Sequence, residues 1–184
     1  MTGPGLVDQP IHGVVLVPLT RFPDRRGWFS ENYRQEWLPG NRPMVQGNLS
    51  SSKANVLRGL HFHRLQADYW WVPSGAILVG LYDLRAGSPT HGVKAEIPLS
   101  DGGDEAPSAL YIPRGVAHGF HARTDVLMQY LVDEYFTGSD EFGVAWDDPD
   151  VGIAWGATDP ILSDRDRSNP SLSEVLRDPP PFEG

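Results

Sequence analysis

Glycine and proline interrupt this chain so often that long helices have little room to form. The sequence contains 20 Gly and 17 Pro among 184 residues, spread along its length. Because both residues break or end regular structure, the segments between them are short. Many of these segments are rich in β-branched and aromatic residues and are separated by turn clusters, as at residues 73–75 and 101–103. The sequence therefore predicts an all-β sandwich, barrel or jelly roll.

Nine segments are predicted to be strands. They are residues 14–19, 27–33, 56–63, 69–72, 76–81, 93–99, 109–112, 119–122 and 126–135. Helices are predicted only around residues 34–38 and over 171–177, where Ser171 and Glu174 have the spacing of a capping box. No repeat or linker precedes residue 178, so we expect a single domain over 1–184 with a proline-rich, extended tail at 178–184.

Composition and charge exclude several classes of function. The chain carries 15 Lys+Arg against 24 Asp+Glu, for a net charge of −9, and its cations are scattered, which argues against nucleic-acid and membrane partners. It has no Cys, so disulfides, thiolate metal sites and cysteine nucleophiles are excluded. The first ten residues contain no basic residue, and no apolar run approaches the length that spans a bilayer. We therefore expect a cytoplasmic protein.

Two histidines stand two residues apart in the third predicted strand. Strict alternation would place Arg58 on one face of this strand and His61 and His63 together on the other. Inside a barrel, each imidazole would need a polar partner, a metal or a ligand. Taken alone, the pair is more typical of hydrogen-bonded structural histidines than of a functional site.

Three further groups offer chemistry, although each alone is typical of ordinary structure. His118 follows a turn at residues 113–115, Tyr130 lies within an apolar strand, and Asp166 belongs to a polar loop. A buried phenol needs a partner for its hydroxyl group, and an aspartate can orient and charge-stabilise an imidazole. Their occurrence together with His61 favours a functional site over isolated structural residues.

These residues belong to an ordered series of motifs that extends over about 145 residues, which is far more specific than any single motif. The motifs are Phe22-x-Asp24-x-Arg26-Gly27-x-Phe29-x-Glu31, Gln46-x-Asn48-x-Ser50, Val56-Leu-Arg-Gly-Leu-His61, Asp83-Leu-Arg85, Ser88-Pro-Thr90, Pro113-x-Gly-x-Ala-His-Gly-Phe120, Tyr130, Trp146-x-Asp148 and Leu162-Ser-x-x-Asp166. The series resembles the dTDP-4-dehydrorhamnose 3,5-epimerase family. The resemblance implies a cupin jelly-roll barrel with short peripheral and C-terminal helices, a homodimer, and a nucleotide-sugar substrate.

The resemblance also implies a mechanism. His61 would be the general base, Asp166 its orienting carboxylate, and Tyr130 the acid on the opposite face of the sugar. The implied reaction is epimerisation at C3, C5 or both of an NDP-4-keto-6-deoxyhexose, with dTDP as the expected nucleotide and no cofactor required. Arg58 would hold the pyrophosphate. The complete set of expected substrate contacts is Arg26, Phe29, Glu31, Gln46, Asn48, Arg58, Asp68, His118 and Tyr135.

The chain departs from the family at one charged position. The family places a Lys that points at the ketone oxygen after a Gln-Ala or Gln-Gly pair, and here that position is Asp68. A carboxylate there would repel an enolate unless a proton or a cation neutralised it. Metal-binding cupins use a His-x-His pair, a carboxylate and a third His, so His61, His63, Asp68 and His118 form an alternative site for one divalent metal. A metal-dependent cupin enzyme on a related sugar, or a catalytically altered sugar-nucleotide-binding homologue, is therefore the alternative function.

Overall fold

The computed structural model describes residues 4–103 and 107–182. Within these ranges it contains thirteen strands and two short α-helices, and 3-10 turns lie at Gln35–Trp37 and Pro39–Asn41. The strands are β1 (Val7–Asp8), β2 (Val15–Pro18), β3 (Arg21–Asp24), β4 (Gly27–Ser30), β5 (Gln46–Ser52), β6 (Leu57–Phe62), β7 (Asp68–Ser74), β8 (Ala76–Asp83), β9 (Lys94–Ser100), β10 (Ser108–Ile112), β11 (Val116–Ala122), β12 (Val126–Val132) and β13 (Phe142–Gly143). The helices are α1 (Asp164–Arg167) and α2 (Leu172–Val175). No helix in the described part of the chain is long and apolar enough to cross a membrane.

The strands form two antiparallel sheets and a separate hairpin of β3 and β4. One sheet has the order β1-β2-β10-β7-β12-β5, and the other has the order β13-β6-β11-β8-β9. From β5 to β13, successive strands alternate between the sheets except at the β8–β9 hairpin, which is the connectivity of a jelly roll. A buried core that includes Trp70, Val79 and Phe120 draws residues from both sheets. The predicted all-β jelly roll is confirmed.

Each of the nine predicted strands overlaps an observed strand, whereas four strands were missed: the short β1, β3 and β13, and the seven-residue β5. Its sequence is polar, and its residues alternate between partial burial and exposure because the strand forms an edge of the six-stranded sheet. The helix prediction at 171–177 is confirmed by α2, whose capping box is formed by Ser171 and Glu174. The prediction of a loop at 163–166 was wrong, because Ser163 caps α1 there.

The end of the described chain packs against the loop that follows β8. The Ala86 N–H donates to the Pro180 carbonyl, and the Phe182 N–H donates to the Ala86 carbonyl. The Phe182 ring also packs edge-on against His12 and beneath Arg85. Residues 183 and 184 of the expected tail lie outside the described residues.

A buried ion pair at the end of β8 gives a stability prediction. Asp83, whose side chain is fully buried, accepts hydrogen bonds from Arg85, Ser88 and Thr90 at 2.6–2.8 Å. We expect Asp83→Ala to lower the free energy of unfolding by about 3–5 kcal/mol, because it leaves the buried Arg85 guanidinium without its counter-ion. Urea unfolding measures the loss.

The exposed pair of Asp24 and Arg26 provides the control for this measurement. Their side chains are about half or more accessible, so Asp24→Ala should change the unfolding midpoint very little. Equal effects of Asp24→Ala and Asp83→Ala would contradict the assignment. Although burial raises the pKa of Asp83, its hydrogen bonds hold the pKa below the usual value. Its contribution should therefore be present above the unfolded-state pKa and be lost as the pH falls through the lower folded-state pKa.

Candidate active site

A cavity of about 410 Å³ opens between the two sheets. Both sheets contribute to its walls, and polar side chains dominate the lining next to a few aromatic ones. The lining residues are Gln46, Asn48, Ser50, Arg58, His61, His63, Gln66, Asp68, Trp70, His118, Gly119, Phe120, Met128, Tyr130, Phe136, Glu141 and Arg165. So many polar groups inside a barrel indicate a ligand site rather than a packing defect.

A histidine–aspartate pair lies at one wall of this cavity. His61, near the end of β6, places Nε2 at 2.7 Å from Oδ1 of Asp166, which is almost fully buried. Asp166 is held in place by α1, because the Ser163 hydroxyl accepts from its backbone N–H and donates to Oδ2. The Gly59 N–H donates to Oδ1 at 3.3 Å. The carboxylate therefore has fixed partners on both of its oxygens.

These contacts define the protonation of the pair. Burial raises the pKa of Asp166, but hydrogen bonds from His61, Ser163 and Gly59 outweigh it and hold the pKa below its usual value. An ionised carboxylate only accepts hydrogen bonds, so the His61 Nε2 carries the proton that is donated to it. With the proton on Nε2, Nδ1 is the ring nitrogen that can accept a proton, as a general base requires.

Tyr130 lies on the opposite sheet from His61. It belongs to β12, where it pairs with Asn48 of β5 and Trp70 of β7, and its side chain lines the cavity. Burial, and then the negative charges of Asp68 and Glu141, raise the pKa of Tyr130 above its usual value. The phenol therefore stays protonated near neutral pH, which suits a proton donor.

Arg58 shares the cavity with His61, so the expectation from strict alternation was wrong. His118 of β11 pairs with His61, and Phe120 pairs with Arg58, so two steps on β11 match three steps on β6. The extra residue is a β-bulge, and it turns Arg58 to the same side as the histidine. The Arg58 Nε donates to the Ser52 hydroxyl at 3.0 Å, which steadies a cationic group at the cavity wall.

A second cluster in the cavity contains two more histidines and a carboxylate. His63 donates from Nδ1 to the Asp140 carbonyl at 2.5 Å, and His118 donates from Nδ1 to the Val116 carbonyl at 2.9 Å. His63, Asp68 and His118 each have one atom that could bind a metal ion, and these three atoms lie within 4.8 Å of one another. Burial lowers the pKa of His118 to about 4, although the Asp68 charge opposes the shift, so the ring is neutral near pH 7.

The structure brings together three of the four residues of the alternative metal site. His61 is directed instead to Asp166, a partner 105 positions later in the chain. The four-ligand set of His61, His63, Asp68 and His118 is therefore corrected to His63, Asp68 and His118, because only these three bring ligand atoms within 4.8 Å of one another in the described part of the chain.

The remaining substrate-binding predictions divide into two groups. Gln46, Asn48, Arg58, Asp68 and His118 line the cavity. Arg26, Phe29, Glu31 and Tyr135 do not: Arg26 pairs with Asp24, Glu31 pairs with Arg34, and the Phe29 and Tyr135 side chains are about two-thirds exposed. Within one chain, these four residues lie outside the cavity.

Sequence reasoning missed an ion pair in the cavity wall. Arg165 of α1 donates to Glu141 at 2.8 Å, and both residues line the cavity. They are 24 residues apart, and no local pattern links them. The Ser163-x-x-Asp166 spacing did carry a usable signal, since it is that of a helix cap.

A jelly-roll barrel that places a His–Asp pair and a protonated tyrosine on opposite walls of one cavity has the groups that an enzyme of acid–base proton transfer requires. The model of the dTDP-4-dehydrorhamnose 3,5-epimerase family matches residues 8–174, and the chain belongs to this family. It is therefore an isomerase with the cupin jelly-roll fold, as the resemblance implied.

Individual relatives agree with this assignment. A dTDP-4-dehydrorhamnose 3,5-epimerase from Streptomyces griseus is 37% identical over 176 residues, which cover 91% of this chain and 86% of the relative. The structure of a 3,5-epimerase from Legionella pneumophila in complex with dTDP-4-keto-L-rhamnose is 28% identical, with a TM-score of 0.87 and coverage of 98% of this chain and 99% of that one. A 3'-monoepimerase from Streptomyces bikiniensis in complex with dTDP-quinovose is 31% identical, with a TM-score of 0.84 and coverage of 96% and 90%. These relatives favour the epimerase over the alternative functions.

Proposed function

We propose that this enzyme epimerises a dTDP-linked 4-keto-6-deoxyhexose at C3, C5 or both, with His61 as the base and Tyr130 as the acid. The observation that carries the proposal is the His61–Asp166 contact of 2.7 Å on one wall, with Tyr130 on the opposite sheet. Inversion of a carbon requires a proton to leave one face and another to arrive on the other face. Two proton-transfer groups on opposite walls meet that requirement.

The reaction proceeds through an enolate. The C4 carbonyl acidifies the hydrogens on C3 and C5, so the His61 Nδ1 removes one as a proton while the C–H electrons move onto the ketone oxygen. Asp166 stabilises the imidazolium that forms. The Tyr130 hydroxyl then donates a proton to the opposite face of the same carbon, and the ketone is restored. Solvent then takes the proton from the His61 imidazolium and returns one to the Tyr130 phenolate. No electrons leave the substrate, so these steps call for no redox cofactor.

Arg58 and the polar residues of β5 are proposed to bind the nucleotide part of the substrate. Arg58 already faces the cavity and would bind the pyrophosphate through charge-assisted hydrogen bonds. Gln46 and Asn48, which bond to each other at 3.0 Å, lie along the same wall. These assignments, like those of His61, Tyr130 and Asp166, rest on the cavity geometry and on the family resemblance.

We further propose that the protein is a homodimer. The β3–β4 hairpin exposes Phe22, Trp28 and Phe29, each by more than half, and the edge strand β5 exposes Leu49. Exposed apolar residues on a hairpin and a sheet edge are typical of an interface. The four predicted substrate contacts that lie outside the cavity, Arg26, Phe29, Glu31 and Tyr135, would then be available to the site of a second copy.

Cytoplasmic localisation is also part of the proposal. A nucleoside-diphosphate sugar carries at least two negative charges, and moving such charges through a bilayer is costly. The enzyme is therefore expected in the compartment that makes nucleotides.

Solvent deuterium exchange tests the proposed reaction. We expect the protein in D₂O to introduce deuterium at C3, C5 or both of dTDP-4-keto-6-deoxyglucose, as measured by NMR and mass spectrometry. The position of the label identifies the carbon that is deprotonated. The absence of label at both carbons with folded protein would contradict the proposal and favour a binding protein.

A further inference from the structure

Three side chains that can each offer a lone pair to a metal ion converge in the wall of the cavity, next to the His61–Asp166 pair. His63 and His118 each donate from Nδ1 to a backbone carbonyl, which leaves the proton on Nδ1 and the lone pair on Nε2. Asp68 contributes a carboxylate to the same group. Each of the three residues is more than nine-tenths buried. A group of lone pairs and a carboxylate in a low-dielectric wall is stabilised by a cation placed among them.

A second set of contacts fixes the orientation of these three side chains. Gln66 Nε2 donates to Asp68 Oδ1 at 2.9 Å, and Trp70 Nε1 donates to Oδ2 at 2.8 Å. Each carboxylate oxygen accepts two hydrogen bonds or ligands, so both retain capacity for an ion. Metal-binding histidines almost always donate their other ring N–H to a carbonyl or carboxylate, as His63 and His118 do here.

A proton shared between His118 and Asp68 accounts for the cluster less well than a bound ion does. The His118 Nε2 lies 4.0 Å from Asp68 Oδ2, which is too long for a hydrogen bond. The ligand atoms around one bound ion are about 3–4 Å apart, so small side-chain rotations from the present spacing within 4.8 Å would suffice.

We propose that His63, Asp68 and His118 bind one divalent first-row transition-metal ion, and that this ion stabilises the enolate oxygen of the substrate. Two imidazoles and one carboxylate are a ligand set typical of Zn²⁺, Mn²⁺ and Fe²⁺. Three protein ligands leave positions open toward the cavity for an oxygen of the substrate. This role rests on the proposed function, since it requires a ketone in the cavity.

The ion removes an electrostatic conflict in the proposed mechanism. Proton abstraction by His61 moves negative charge onto the ketone oxygen, and the Asp68 carboxylate in the same cavity would oppose that charge. A bound dication neutralises Asp68 and attracts the enolate oxygen as a Lewis acid. The ion does not change its oxidation state, and the protons are still transferred by His61 and Tyr130.

Metal binding is tested on the full chain with Co²⁺, which reports its ligands by visible absorption. We expect chelator-treated wild-type protein to bind one equivalent of Co²⁺ by calorimetry and absorbance. His63→Gln and Asp68→Asn should each weaken binding by 10-fold or more, because each removes or neutralises a ligand. His121→Gln is the matched control, since His121 is a buried histidine on the same strand as His118 but bonds to Asn55. No stoichiometric binding, or equal binding by all four proteins, would overturn the site.

Deuterium exchange separates the site from its catalytic role. Chelation should slow exchange at C3 or C5 by 10-fold or more, and added Zn²⁺ or Mn²⁺ should restore it. Full exchange by stripped protein would overturn the role of the ion in stabilising the enolate. One-to-one Co²⁺ binding without exchange in any metal-loaded form would support the site while contradicting the proposed epimerisation, so the two failures are distinguishable.

Discussion

Replacement of His61 with asparagine is expected to slow deuterium incorporation at the sugar carbons by about 10²–10⁴-fold, the range that one general base typically contributes. Asparagine preserves a polar side chain near Asp166 but has no basic nitrogen to accept a proton from carbon. The rate is measured in D₂O at constant pH with saturating substrate, so that weaker binding does not enter the comparison.

The control for His61→Asn is again His121→Gln, because it removes a buried imidazole that does not line the cavity. Both variants should keep the wild-type unfolding midpoint within a few degrees. Unchanged exchange in His61→Asn would assign the base to another group. Loss of exchange in both variants would indicate that general damage to the barrel, and not removal of the base, had been measured.

The part of the fold that could be read from the sequence is the part in which one face of a strand is buried. β9 shows this clearly, because Ala95, Ile97 and Leu99 are buried and alternate with accessible residues. Such alternation is a local property, so it can be recognised without knowledge of the partner strands. The same applies to the capping box of α2, where Ser171 and Glu174 are three residues apart.

The features that the sequence did not predict depend on distant partners. β5 has the cavity on one side, so its polar residues show no apolar period. The side of β6 on which Arg58 lies depends on a β-bulge, and this bulge is recognised only from the pairing of β6 with β11. In each case, the determining contact involves another element, so the local periodicity of the sequence cannot predict it.

The candidate site shows the same division. The motif series brought His61, Tyr130 and Asp166 to attention, and the fold places the first two on opposite walls with the third behind His61. The separation of His61 from the cluster of His63 and His118 could not be read from the His-x-His spacing, because Asp166 comes from a helix more than a hundred residues later. A tertiary contact therefore determines which imidazole is paired with a carboxylate.

Replacement of Tyr130 with phenylalanine should separate proton exchange from inversion. His61 still removes the proton and can return a solvent-derived deuteron to the same face, so label should continue to enter the sugar. The opposite face loses its donor, and formation of the epimer should fall by about 10²–10⁴-fold. Proton NMR of one reaction mixture measures both, since label removes the resonance at the exchanged carbon and inversion shifts the resonances of the protons that remain on the sugar.

Tyr111→Phe is the matched control for this separation. Tyr111 is a buried tyrosine on β10 of the same sheet, but it packs in a core cluster away from the cavity lining. It should leave both exchange and inversion at wild-type rates. Because the raised pKa of Tyr130 keeps its phenol protonated, the wild-type enzyme should invert throughout the neutral range, and only the variant should show exchange without inversion. Equal losses of exchange and inversion in Tyr130→Phe would contradict the two-wall mechanism and would place Tyr130 in substrate positioning instead.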